Sequence, residues 1–447
     1  MSHTTTMTFC AALATLTLAT AAHAAPPADP APVTDGDITF ATMQGMQILV
    51  KRVPGADFVA GHLYIKGGAR NWGKDDAGIE SLALATAAGG GTETLAKELF
   101  TRKLAHLGSQ LSSDTVDSGS VLRAKSLQSG WDETFALLAD AFLHPALPAS
   151  EVELQRQRAL SRLKREEEDP DQQLSAMAHA LLFRNHPYAN RAVGTQLTMA
   201  KLDGAQLRAH LGKLRETGRL LLVVVGDVEP AHVLARARQA FAGLPRGAYR
   251  DTPMAVPATA PPHVEAVEKK LATNYMQGLF HGPSWRDRDL TTALVAMEAM
   301  QFRVFLEVRT KRNLSYAPNA GFQLPSELPL GYLYVTAVDP KTTWTIMLDE
   351  ARKLATQPLP ADELAGNKSV FLSSFLMRNE TVDGQANLLG MTQLFSGDWR
   401  GARTLPERIR AVTPADVQAF AKKYLHNLQS VYLGDPAQLD KKLFESL

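Results

Sequence analysis

The run Gly78-Ile79-Glu80-Ser81-Leu82-Ala83-Leu84-Ala85-Thr86-Ala87-Ala88-Gly89-Gly90-Gly91-Thr92 decides how this chain is read. Ile79 to Ala88 holds neither proline nor glycine, and Leu84, Ala85 and Ala88 share one face at helical spacing. The stretch predicts an apolar helix entered from Gly78 and closed by three glycines. It does not predict a phosphate loop, because no Lys-Ser/Thr follows the glycines. Ser81 is no better as a nucleophile, since the sequence sets no His or Lys base near it.

Upstream of that helix, Met46 to Val53 and Phe58 to Ile65 read as strands. Downstream, Leu95 to Leu107 reads as a helix and Ser109 to Leu127 as a β-prone strand pair. Trp131 to Leu143 and Ser150 to Glu168 are amphipathic helices, the second stopping before Pro170, and Gln172 to Phe183 is another. Leu220 to Val225 is a buried strand that runs into Gly226-Asp227, and Ala231 to Phe241 is helical.

Asp251 to Pro262 is a Pro/Ala-rich linker, extended by composition. It divides residues 36–250 from residues 263–447, and the second half echoes the first. Tyr275 to Phe280 and Gly331 to Val338 are strand candidates. Asp287 to Val308, Trp344 to Thr356, Ala361 to Met377 and Thr413 to Tyr424 are helical. The chain closes on Ser430 to Asp435, whose Gly434-Asp435 matches Gly226-Asp227. Matching strand ends in a matching element order predict a duplicated α+β domain.

The 447 residues suffice for two or three ordinary domains, with 45% hydrophobic and 21% charged residues as in soluble globular proteins. A net charge of +1 and no long Lys/Arg run give no sign of a nucleic-acid partner. Phe9 to Ala22 is an apolar run too short for a comfortable membrane span. It ends in Ala22-His23-Ala24 and precedes a loose Pro-rich segment, the pattern of a secretory signal peptide. The run lacks a preceding Lys or Arg, and an uncleaved anchor is the other outcome. Cleavage near Ala24 would leave a periplasmic or secreted chain of residues 25–447 with no integral membrane segment. It would also remove Cys10, the only cysteine, and with it any thiol chemistry. The twelve His residues show no metal-ligand spacing. His62, His106 and His144 are expected at the surface or half-buried.

The frame from Gly78 to Thr92 resembles the helix that carries H-x-x-E-H in the inverted zinc peptidases (inverzincins), the pitrilysin, insulinase and mitochondrial processing peptidase family. Gly108 to Ser113, Asp169-Pro170, His186-Pro187-Tyr188, Val193-Gly194-Thr195 and Val223 to Asp227 follow in the family's order, so the resemblance covers most of the mature chain. It implies a processing-peptidase-like metallohydrolase fold: two homologous α+β domains, each an antiparallel sheet with packed helices, forming half of a clam-shell chamber. It also implies a lost metal site. Ser81 and Ala85 stand where the two His ligands would be, and Leu84 where the Glu would be. Counted back from Asp169-Pro170, the third ligand position is Arg162 and its companion, two helical turns earlier, is Gln155. Alkyl groups, a neutral serine hydroxyl and a guanidinium are not normal zinc donors. Glu166, Glu167 and Glu168 read as a solvated helix end.

Arg309 to Tyr316 resembles the family's Arg-x6-Tyr element, in which both side chains hold substrate across the chamber from the zinc. A guanidinium and a phenol can both donate to a developing oxyanion. The structural alternative is an Arg309 that caps a helix and a Tyr316 packed in the core. The resemblance therefore implies a pseudoenzyme, inactive alone and holding no cofactor. It would be a non-catalytic subunit that closes the chamber of a homologous H-x-x-E-H subunit, which holds the zinc. Its partners would be that subunit and peptide substrates. A stand-alone periplasmic peptide-binding or assembly protein is the alternative, and a metal-independent or misaligned hydrolase a third reading.

Overall fold

A computed structural model describes residues 29–447 other than Pro325; the expected signal peptide and Cys10 lie outside them. Among the described residues, twelve strands form two sheets. The first holds β1 (Val33–Asp35), β2 (Ile38–Met43), β3 (Met46–Arg52), β4 (Phe58–Lys66), β5 (Gln110–Val116), β6 (Gly119–Leu127) and β7 (Leu220–Gly226). The second holds β8 (His263–Glu268), β9 (Asn274–His281), β10 (Asn319–Gln323), β11 (Leu330–Ala337) and β12 (Gln429–Gly434). The first sheet runs β1-β2-β3-β7-β4-β6-β5 and the second β8-β12-β9-β11-β10.

The two orders are the same topology, with β8, β12, β9, β11 and β10 standing for β3, β7, β4, β6 and β5. In each sheet one pair is parallel, β3 with β7 and β8 with β12, and the other pairings are antiparallel. Both parallel pairs end on the glycine that the sequence matched. Gly226 and Gly434 have φ of 155° and 159°, and an added Cβ would meet Val59 and Asn274 at 2.8 and 2.1 Å. Only glycine fits there, which is why the two strand ends share a sequence signature.

Burial on both faces explains the apolar run of β7. Leu220, Leu222 and Val224 join the core beneath the Ile79–Gly89 helix. Leu221, Val223 and Val225 face the other way, against Ala386, Leu389 and Phe395 of the Val382–Ser396 helix. That helix comes from the second half of the chain. The exchange is reciprocal: Leu174 and Ala178 of the Pro170–Leu182 helix, from the first half, cover Leu279, Val431 and Leu433 of the second sheet. Each exchanged helix also sends an acid from its first turn to the sheet it covers. Asp171 accepts from the Tyr334 hydroxyl, and Asp383 lies 2.9 Å from His62 Nε2.

His62 corrects one sequence expectation, because it is fully buried in β4 rather than superficial. Burial lowers its pKa and the Asp383 carboxylate opposes that; the His62 hydrogen bond holds Asp383 below the usual carboxylate range. A second difference lies at Asp287 to Val308, expected as one helix. The α-helix spans Leu290–Val304, and Phe305–Thr310 continues as a wider π turn.

Candidate functional site

The Ile79–Gly89 helix begins at Gly78, whose φ is 87°. An added Cβ there would sit 2.2 Å from Met199 Cε and 2.8 Å from the Gly194 backbone. The Val193-Gly194-Thr195 segment thus packs directly on the helix entry. The far end meets the Ala149–Glu168 helix: a Cβ on Gly89 would lie 3.0 Å from Glu151 Oε1 and 3.5 Å from Gln155 Nε2. The sequence-predicted positions are therefore carried by two helices in contact. Their side chains supply no donor set. Leu84 is fully buried, Ser81 and Ala85 are half-buried, and Arg162 is exposed. Gln155 donates to Glu151 at 2.7 Å, and Lys97 holds the other Glu151 oxygen at 2.5 Å. Zinc does not fit these residues, and among the described residues no three His, Cys, Asp or Glu side chains are grouped to hold a metal.

Sequence reasoning missed Glu80, one residue before Ser81. It is 1% exposed, accepts from the Ser120 hydroxyl and lies 2.9 Å from His210 Nε2. This buried acid ties the helix to β6 and to the Gly204–Leu214 helix. Its apolar neighbours gave the only signal: a lone acid in an apolar helix needs a partner. Of the three glutamates read as a solvated end, Glu166 binds Arg191, Glu167 accepts from Gln196 at 2.8 Å, and Glu168 is exposed.

Arg309 lies in the π turn, where Lys311 N bonds back to Leu306 O at 2.9 Å. Asn313 then adopts φ of 51°, the chain reverses, and Tyr316 precedes edge strand β10. The Arg309 guanidinium stacks over the Tyr316 ring at 4.1 Å and over Phe305 at 5.0 Å. Tyr316 is 79% exposed, so it does not pack in the core. Among the described residues neither its hydroxyl nor the guanidinium is engaged by another side chain's hydrogen bond. The pair presents oriented donors to solvent, an arrangement able to receive a carbonyl or an oxyanion.

Residues 47–196 match the family model described as insulinase (peptidase family M16), and residues 201–371 match the peptidase M16 inactive domain. The chain is 23% identical over 385 residues to a Helicobacter pylori protein named a non-peptidase homolog, covering 81% of this chain and 85% of that one. It is 21% identical over 402 residues to an uncharacterized zinc protease of Rickettsia felis, covering 88% and 96%. Among solved structures, a peptidase M16 inactive domain from Pseudomonas fluorescens superposes with a TM-score of 0.80 at 18% identity, covering 89% of this chain and 97% of that one. A protease from Helicobacter pylori superposes at 0.79 with 16% identity, covering 89% and 99%. Two successive models of one family across most of the described residues, together with a duplicated sheet topology, make this chain a member of the M16 peptidase family.

Proposed function

We propose that this chain is the non-catalytic, substrate-binding subunit of an exported two-chain zinc peptidase. Its partner is a homologous chain that keeps H-x-x-E-H and carries the metal chemistry. This chain closes the chamber and contributes Arg309 and Tyr316. The guanidinium holds a substrate backbone carbonyl, and guanidinium and phenol together donate to the oxyanion that develops there. Substrates are peptides small or unfolded enough to enter. Extended peptides can bind along an exposed sheet edge in such a chamber.

The observation that carries the reading is the contrast between the two elements. The metal positions hold Ser81, Leu84, Ala85 and Arg162, whereas Arg309 and Tyr316 remain stacked and open.

The test pairs the chain with a cognate H-x-x-E-H subunit. Arg309→Ala and Tyr316→Phe should leave folding and association intact and lower turnover, by on the order of 10²–10³ for a lost oxyanion donor. Full activity in both variants refutes the role. Affinity capture from the native periplasm that returns no H-x-x-E-H chain leaves the stand-alone peptide-binding reading in its place.

A further inference from the structure

The repeat allows the two halves to be laid over one another. The offset that carries Trp72 onto Trp285, each just ahead of its motif-equivalent helix, carries Ser81 onto Leu294, Leu84 onto Met297 and Ala85 onto Glu298. The offset that carries Pro148 onto Pro360, each just before a long helix, carries Arg162 onto Ser374. In the first half Leu84 fills its position completely. In the second half Leu294, Met297, Glu298 and Ser374 all line one cavity of about 710 Å³. That volume is in the range of sites that enclose a small ligand or a long side chain.

The polar groups of this cavity are not equivalent. Asp383 is taken by His62, and Gln301 accepts from the Ala320 backbone at 2.6 Å. Glu298 is half-buried, and among the described residues no hydrogen bond or ion pair reaches its carboxylate. Burial pushes its pKa up, and the positive charge of Arg378, exposed at the mouth, opposes this. The same cavity is lined by Leu294, Met297, Phe371 and Phe375 and by the polar Ser374, Asn379 and Asn387. A half-buried carboxylate with no hydrogen-bond partner is stabilised when a cation meets it.

We propose that this cavity is a second binding site, taking the side chain of a basic residue of an extended peptide. The cationic head meets Glu298 and the aliphatic stem lies along Leu294, Met297 and Phe375. Arg378 at the mouth donates to a peptide carbonyl. The inference rests on the reading that this chain handles extended peptide, and it requires neither metal nor partner subunit.

Calorimetric titration of the purified chain tests it, with Ac-Ala-Ala-Arg-Ala-Ala-NH2 and the same peptide carrying norleucine in place of arginine. The arginine peptide should bind about tenfold or more tighter, the effect of one charge-assisted hydrogen bond. Glu298→Gln should erase that preference, and Ser374→Trp should fill the cavity and weaken both peptides. Melting curves establish that each variant is folded, and Ser374→Trp keeps the test decisive if Glu298→Gln is not. Equal binding of the two peptides overturns the proposal, as does an unchanged preference in Glu298→Gln or binding of neither peptide. Turnover dependent on Arg309 and Tyr316 in the two-chain complex is a separate readout, so the cavity and the subunit reading fail independently.

Discussion

One substitution made at two glycines tests how the halves are fastened together. Gly390 lies inside the Val382–Ser396 helix, and Gly366 inside the Ala361–Arg378 helix. Intrinsic propensity favours alanine at both by about 1 kcal/mol. The surroundings differ. A Cβ on Gly366 meets nothing within 4 Å, whereas a Cβ on Gly390 would lie 2.1 Å from Tyr64 Cε2 and 2.4 Å from Cζ. Ordinary carbon contacts are near 3.5 Å or more, so the overlap is about 1.4 Å. The Tyr64 ring cannot easily withdraw. It is 2% exposed in β4, with its hydroxyl 3.3 Å from His62 Nδ1 and 3.5 Å from Asn387 Oδ1. Overpacking of this kind costs about 1–3 kcal/mol, occasionally more. Gly390→Ala should therefore fail to stabilise and cost up to about 2 kcal/mol net, whereas Gly366→Ala should stabilise by about 1 kcal/mol. Thermal and urea melts of the two variants beside the parent measure the difference. If Gly390→Ala raises the melting temperature as Gly366→Ala does, the second-half helix does not rest on β4, and the exchange of helices between halves is wrong.

Other outcomes follow from the site and the interface. Ser81→His, Leu84→Glu, Ala85→His and Arg162→Glu together should create a zinc site, with Gln155→Glu added to strengthen it. Metal analysis after dialysis decides this, and a folded variant no better than its parent counts against Arg162 above all. The parent chain alone should cleave no quenched peptide, and chelator-sensitive cleavage with zinc near one per chain would refute the reading. Acid should loosen the interface around Phe183, whose ring has His179, His186 and His281 at 4.8, 5.5 and 5.3 Å. Burial pushes His281 down to about 4, with repulsion from His186 adding to it and the Leu182 carbonyl opposing. Between 6.5 and about 4 the unfolded chain takes up a proton that the folded chain refuses. Stability should fall as pH drops through that window, by up to about 1.4 kcal/mol per pH unit for one proton. His281→Gln should flatten the slope in urea melts across pH, and an unchanged slope refutes the assignment.

Much of this protein was legible from local chemistry. The Ile79–Gly89 helix, the β7 run, the Gly226 and Gly434 strand ends and the order of elements rest on periodicity, helix stops and glycine requirements that neighbouring residues impose. That Ser81, Leu84, Ala85 and Arg162 are not zinc donors is also a property of the sequence, because residue type alone decides whether a donor exists. Elements that owe their stability to distant partners were not legible. The Val382–Ser396 helix carries Gly384 and Gly390 and lacks a strong apolar period, yet it forms because the first sheet offers Leu221, Val223 and Val225 to cover. Helix formation there comes from burial rather than propensity. The same holds for His62, whose burial depends on Asp383 from the opposite half, and for Glu80, matched by Ser120 and His210. The sequence by itself determined that the Ile79–Gly89 helix carries no His at Ser81 or Ala85 and no Glu at Leu84. Only the tertiary structure decided that its counterpart in the second half opens onto a cavity with an unpaired carboxylate, because that depends on which side chains the repeat brings face to face.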